Sequence, residues 1–190
     1  MKVCNMNKKR VMLIGDSIRL MYQDKVAELL GDDYEVVWPS ENGRFCKYML
    51  NELERWFEAC GEPDIIHWNV GLWDTSVVCK EDGAFTPIPE FLKYVDYTLR
   101  ELRKKTDKVI FATITPVKVG SPNQKVEYIE EYNRQLVRFM KQNDCPINDL
   151  FELLNKDKEN MIGPDCIHTS PAGAEICAKA VADAIRAIDK

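Results

Sequence analysis

Among its 190 residues this chain has only two histidines, an odd and scattered set of seven cysteines, and no apolar run of 18 residues. The last absence excludes a membrane-spanning helix. No two cysteines form a C-x-x-C pair, so neither a zinc ribbon nor a redox dithiol is signalled, and the thiols read as reduced. A basic stripe is also missing. With a formal net charge of -5, the chain is poorly suited to nucleic acid or to an anionic membrane surface. The phosphate-cradling Gly-x-x-x-x-Gly-Lys-Ser/Thr is absent, and only Gly15 stands where a dinucleotide fingerprint needs three glycines. A Gly-x-Ser-x-Gly elbow fails at Arg19. No metal or organic cofactor is called for by any of these patterns. The first nine residues carry charge but no apolar segment of the signal-peptide kind, so a cytoplasmic location is expected. No pattern specifies an oligomeric state.

What is present is an ordinary globular composition, 45% hydrophobic and 30% charged, at a length that suits one domain over residues 1–190. Short apolar runs alternate with amphipathic stretches. Lys9-Arg10-Val11-Met12-Leu13-Ile14 reads as a strand buried on both faces, stopped by Gly15-Asp16-Ser17. A helical stripe follows at Ile18, Tyr22, Val26 and Leu29, ended by Gly31. Further strands are expected at 34–38, 64–70, 109–114 and 146–150. The helices between them carry Phe45, Met49, Leu53, Trp56, Phe57 and Cys60, then Leu92, Val95, Leu99 and Leu102 after Pro89, then Ile129, Tyr132, Leu136, Val137 and Met140. Ser170-Pro171 opens a last helix with Ile176, Val181, Ile185 and Ile188 facing inward. Five such runs alternating with helices predict a three-layer α/β/α sandwich around a five-stranded, mainly parallel sheet. The loop at 74–88 is long enough to be functional.

In an open parallel sheet, ligands bind outside the carboxyl ends of the strands. Ser17 falls at such an end, where it can be an ordinary helix cap or, if a base reaches it, a nucleophile. His67 lies inside an apolar run and reads as a core histidine. His168 sits in the polar turn Gly163-Pro164-Asp165-Cys166-Ile167-His168-Thr169-Ser170-Pro171, and Asp165 is placed to hold its second nitrogen. Attack on a carbonyl also needs donors for the oxyanion. Three are available at strand ends: the backbone N–H of Ser17, that of Gly43, and the side-chain amide of Asn69. Gly43 can equally be a turn glycine, and Asn69 can simply end its strand. Arg19 reads as a solvated or salt-bridged helix residue that could line the site. Trp68 and Trp73 read either as core or as an aromatic platform for a sugar.

Gly15-Asp16-Ser17-Ile18 resembles the GDSL-type nucleophile block of the SGNH hydrolase superfamily, and Asp165-Cys166-Ile167-His168 resembles its D-x-x-H block. Gly43 and Asn69 fall at the order and separation of that family's glycine and asparagine blocks, although His67-Trp68-Asn69-Val70 departs from the commoner Gly-x-Asn-Asp. The resemblance implies a flavodoxin-like SGNH hydrolase fold and a carboxylic ester hydrolase. It implies a nucleophile at Ser17, a base at His168, an orienting acid at Asp165 and an oxyanion hole of Ser17, Gly43 and Asn69. The expected substrate is a small-molecule or carbohydrate ester with a short acyl group, acetyl foremost, because no long apolar lid is evident. The rival from another class is a catalytically silent α/β domain that binds a carbohydrate or a partner protein. Retention of Ser17, Asp165 and His168 together speaks against it.

Overall fold

Val11, Met12, Leu13 and Ile14 are all fully buried, as a strand covered on both faces requires. They form most of β1 (Lys9–Ile14) in a computed structural model that describes residues 8–79 and 83–190. The expected loop at 74–88 therefore lies partly outside the described residues. In chain order there follow α1 (Ser17–Leu30), β2 (Tyr34–Val37), α2 (Cys46–Cys60), β3 (Ile65–Asn69), α3 (Ile88–Arg103) and β4 (Val109–Ala112). The rest comprises α4 (Val126–Gln142), β5 (Ile147–Asn148), α5 (Leu150–Asn155), α6 (Lys158–Met161) and α7 (Pro171–Ile188). The five strands pair only in parallel, in the order β2-β1-β3-β4-β5.

This order has a direct consequence for function. The chain leaves β1 toward β2, then returns past β1 to build β3, β4 and β5 on the other side. Right-handed crossovers put α1 on one face and the later helices α2, α3 and α4 on the other, with α7 returning to pack against α1. A crevice opens where the order reverses, outside the carboxyl ends of β1 and β3. Register fixes the residues there: Ile14 pairs with Trp68, so Gly15 and Asn69 are the next residues out on adjacent strands.

Several expectations shift by a residue or two, each for a packing reason. On α1 the buried stripe is Ile18, Arg19, Tyr22, Val26 and Leu30, while Leu29 stays 44% exposed. The face is rotated toward α7, whose Gly173, Ala174, Ala178 and Ala182 let the two helices approach closely. Ile176 is consequently on the outer side. The fifth strand is only Ile147–Asn148; Asp149, expected within it, instead caps α5 by accepting from the N–H of Glu152 at 3.1 Å. Trp68 is core, edge to face with Phe111 at 5.0 Å, which removes it as a sugar platform. No helix among the described residues is long and apolar enough to cross a membrane.

Candidate active site

The turn after β1 sorts two polar residues into different tasks. Asp16, not Ser17, caps α1: its Oδ1 accepts from the N–H of Ile18 at 3.0 Å. Ser17 is thereby the first helical residue, and its hydroxyl lies 2.9 Å from Nε2 of His168. His168 Nδ1 in turn is 2.6 Å from Asp165 Oδ2. Asp165 Oδ1 accepts from the backbone N–H groups of Ile167 and His168, both at 3.0 Å. Desolvation works to raise this carboxyl, but the two N–H donors and the imidazole outweigh it and hold it at about 2. An ionised acid at Nδ1 fixes the tautomer that leaves Nε2 facing the serine.

The turn carrying this pair is tightly tied. Gly163 donates its N–H to the His168 carbonyl at 2.7 Å, and Cys166 donates to the Gly163 carbonyl at 3.1 Å. Cys166 adopts φ 66°, a left-handed backbone uncommon for a residue with a Cβ. The N–H of Lys118, in the loop after β4, donates to the Cys166 carbonyl at 2.9 Å and fastens the turn to the sheet end. Ser170 then caps α7 by accepting from Gly173 at 3.1 Å.

The three expected oxyanion donors fare differently. The Ser17 N–H belongs to the first turn of α1, where N–H groups have no intrahelical acceptor and the helix dipole favours negative charge. Asn69 donates from Nδ2 to Asp16 Oδ1 at 2.8 Å and accepts from the Tyr22 hydroxyl at 3.3 Å. One amide hydrogen is thus committed, and the second remains. Gly43 departs from expectation: its N–H donates to the Gly15 carbonyl at 2.9 Å and is already spent. A Cβ at Gly43 would lie 2.7 Å from that same oxygen, so glycine is needed there to let two loops touch rather than to bind an oxyanion. A Cβ at Gly15 would overlap Asn69 Oδ1, so this glycine is likewise a close-approach residue.

Three charged residues behind the site were not legible as buried. Arg19 is 0% exposed, in place of the solvated or salt-bridged residue expected. Its guanidinium donates to the Glu41 carbonyl and the Gln23 side chain, holding the loop after β2 against α1, and burial lowers its pKa. Asp16 is also buried, and desolvation pushes its carboxyl up to about 6, with Asp74 adding to the rise and Ile18, Asn69 and Arg19 opposing it. Its Oδ2 has no partner among the described residues. Asp74, which sequence reasoning passed over, is fully buried and accepts from the N–H of Cys46 at 3.0 Å, capping α2 from a distant loop. His67 is a core residue, as read: Nε2 lies 3.2 Å from the Asn148 amide, and burial depresses its pKa to about 3.

Ser17 and His168 open onto a cavity of about 530 Å³. Phe45, Leu72, Trp73 and Phe85 line it on one side, Asn42 and Gln124 on its polar rim. Among the described residues, no group of three His, Cys, Asp or Glu side chains comes together to hold a metal ion.

No family model and no curated protein matches the sequence. Solved structures do resemble the chain. A lipase/acylhydrolase from Enterococcus faecalis superimposes with a TM-score of 0.80 at 18% identity, over 94% of this chain and 96% of that one. An acetylxylan esterase from Geobacillus stearothermophilus gives 0.74 at 15% identity, over 93% and 94%. A member of the lipolytic protein G-D-S-L family from Veillonella parvula gives 0.75 at 14% identity, over 92% and 97%. At these identities the likeness concerns architecture: the chain has the α/β/α fold of the GDSL-type SGNH hydrolases.

Proposed function

We propose that the protein is a serine esterase that cleaves short-acyl carboxylic esters through an acyl-enzyme. The observation that carries this reading is the unbroken line from Ser17 Oγ to His168 Nε2 at 2.9 Å and from His168 Nδ1 to Asp165 at 2.6 Å, opening on a cavity. His168 takes the hydroxyl proton as Ser17 Oγ attacks the carbonyl carbon, and the oxyanion is held by the Ser17 N–H and the free amide hydrogen of Asn69. Collapse of the tetrahedral intermediate breaks the bond to the leaving alkoxide, which receives the proton from His168. Water, deprotonated by the same imidazole, then adds to the acyl carbon and releases the acid and Ser17.

A fluorophosphonate probe tests this. Covalent labelling should map to Ser17 by peptide mass spectrometry, and Ser17→Ala should abolish both labelling and ester turnover. A labelled Ser17→Ala protein refutes Ser17 as the nucleophile, and a wild-type protein without label or turnover refutes the esterase reading in favour of a silent binding domain. A narrower reading, acetyl esters of carbohydrates, draws support from the acetylxylan esterase neighbour and from Trp73 standing 42% exposed beside the amides of Asn42 and Gln124. Acetate release from acetylated xylo-oligosaccharides measures it directly.

A further inference from the structure

The cavity beside Ser17 is built for something larger and less polar than an acetyl group. We infer that it takes a hydrocarbon or aryl segment of an ester, several carbons long. This inference rests on the serine-esterase reading, competes with its acetyl-carbohydrate form, and names a different substrate class for the same site. At about 530 Å³ the space falls within the range of small-molecule sites, and a two-carbon acyl group would leave most of it unfilled. One wall of it is apolar and aromatic. Phe45 and Phe85 meet edge to face with centroids 5.3 Å apart, and Leu72, Trp73, Val78 and Ile167 extend that wall. Among the described residues, no Lys, Arg, Asp or Glu lines it.

Three of these side chains are exposed to a degree that a folded protein normally avoids for large apolar groups clustered at one place: Trp73 42%, Phe85 49% and Val78 68%. They are not on slack backbone. The N–H of Val77 donates to the Asn123 carbonyl and that of Phe85 to the Ser76 carbonyl, both at 2.7 Å. Asp74, at the root of the same loop, is locked to the N-terminus of α2 just after Phe45. The apolar wall is therefore held open to solvent and contiguous with the nucleophile, which is the arrangement that lets substrate burial contribute to catalysis.

The ester's hydrocarbon can belong to its acyl or to its alcohol half, and two homologous series separate them. Ethyl alkanoates from acetate to octanoate lengthen the acyl side, alkyl acetates from ethyl to octyl lengthen the alcohol side, and acetylated xylo-oligosaccharides form a third arm. In one of the first two series, kcat/KM should rise about fourfold per added methylene until the cavity is filled, the fold-change equivalent to about 0.8 kcal/mol. The series that rises identifies the half that binds. Phe85→Ala should flatten that slope, whereas Leu29→Ala, on the far surface of α1, should follow wild type. Flat or falling profiles in both series, a sugar acetate preferred over every longer ester, or an unchanged slope in both Phe85→Ala and Trp73→Ala overturns the inference. Fluorophosphonate labelling of Ser17 run in parallel separates the two levels. Labelled, active enzyme without chain-length dependence refutes the substrate class alone, and absence of labelling and turnover refutes the esterase reading beneath it.

Discussion

Asp16 is a buried carboxyl that works as a helix cap, and replacing it with asparagine isolates the free energy of ionising it. Its folded value is about 6 against an ordinary 3.8, with burial as the main cause. A carboxyl whose folded pKa is raised holds its proton longer in the native state. Its contribution to stability is therefore full below about pH 4 and is lost as pH rises through about 6. Two units correspond to about 3 kcal/mol, of which about 2 to 3 kcal/mol falls between pH 4 and pH 8. Asparagine retains an oxygen for the Ile18 N–H and the Asn69 amide, but it puts a new N–H2 where Oδ2 has no partner, at a cost of about 1–3 kcal/mol. That cost is the same at every pH, so it cancels in a difference. His67, neutral in the core with a folded pKa of about 3, loses stability in the opposite sense, as pH falls from about 6.5, and it too cancels. Urea unfolding of wild type and Asp16→Asn at pH 4 and pH 8 should thus give a variant that gains about 2 to 3 kcal/mol on wild type between the two. An identical pH dependence in both proteins refutes the assignment of that titration to Asp16.

Asp165→Asn should fold normally and lower kcat by about 10⁴, because the amide no longer selects the Nδ1–H tautomer; a burst-corrected kcat near wild type refutes the role. The same variant should lose the stability that an acid held at about 2 contributes above pH 4 and gives up as pH falls toward 2, read in acid unfolding curves. Asn69→Ala should cost about 10²–10³ in kcat with little change in KM, and also lower the melting temperature, since Asp16 loses its 2.8 Å donor. Gly43→Ala should destabilise by about 1–3 kcal/mol in thermal melts through the 2.7 Å approach of its Cβ to the Gly15 carbonyl, and a wild-type melt would show that the loops part freely.

The parts of this fold that are legible in sequence are those whose information is local. Four fully buried residues in a row announce β1, Gly31 and Gly61 end α1 and α2, and Ser170-Pro171 opens α7. Asp165 and His168 share one turn, so their pairing follows from a spacing of three. What sequence does not carry is the choice between equivalent neighbours. Leu29 and Leu30 are equally apolar, and only the approach of α7 decides that Leu30 is buried and Leu29 exposed. Arg19 looks like any helix arginine until Gly15, lacking a Cβ, lets β1 and α1 close over it; a Cβ there would stand 2.7 Å from that of Arg19. Helices α5 and α6 are too short for periodicity to register.

The site adds a further reason. Gly43 and Asn69 lie in the right order and at the right strand ends, and order alone made them equivalent donors. Their difference arises from contacts between elements far apart in the chain: Gly43 N–H meets the Gly15 carbonyl, and Asn69 meets Asp16 and Tyr22. Asp16 sits at the centre of that arrangement. It releases Ser17 from capping by taking the Ile18 N–H, and it orients the Asn69 amide beside the same serine. One buried carboxylate thereby links the freedom of Ser17, the proposed nucleophile, to the aim of the Asn69 amide, its proposed oxyanion donor. Its ionised form is the better acceptor for both bonds, so the ionisation that destabilises the fold above pH 6 is the one that holds the site in order.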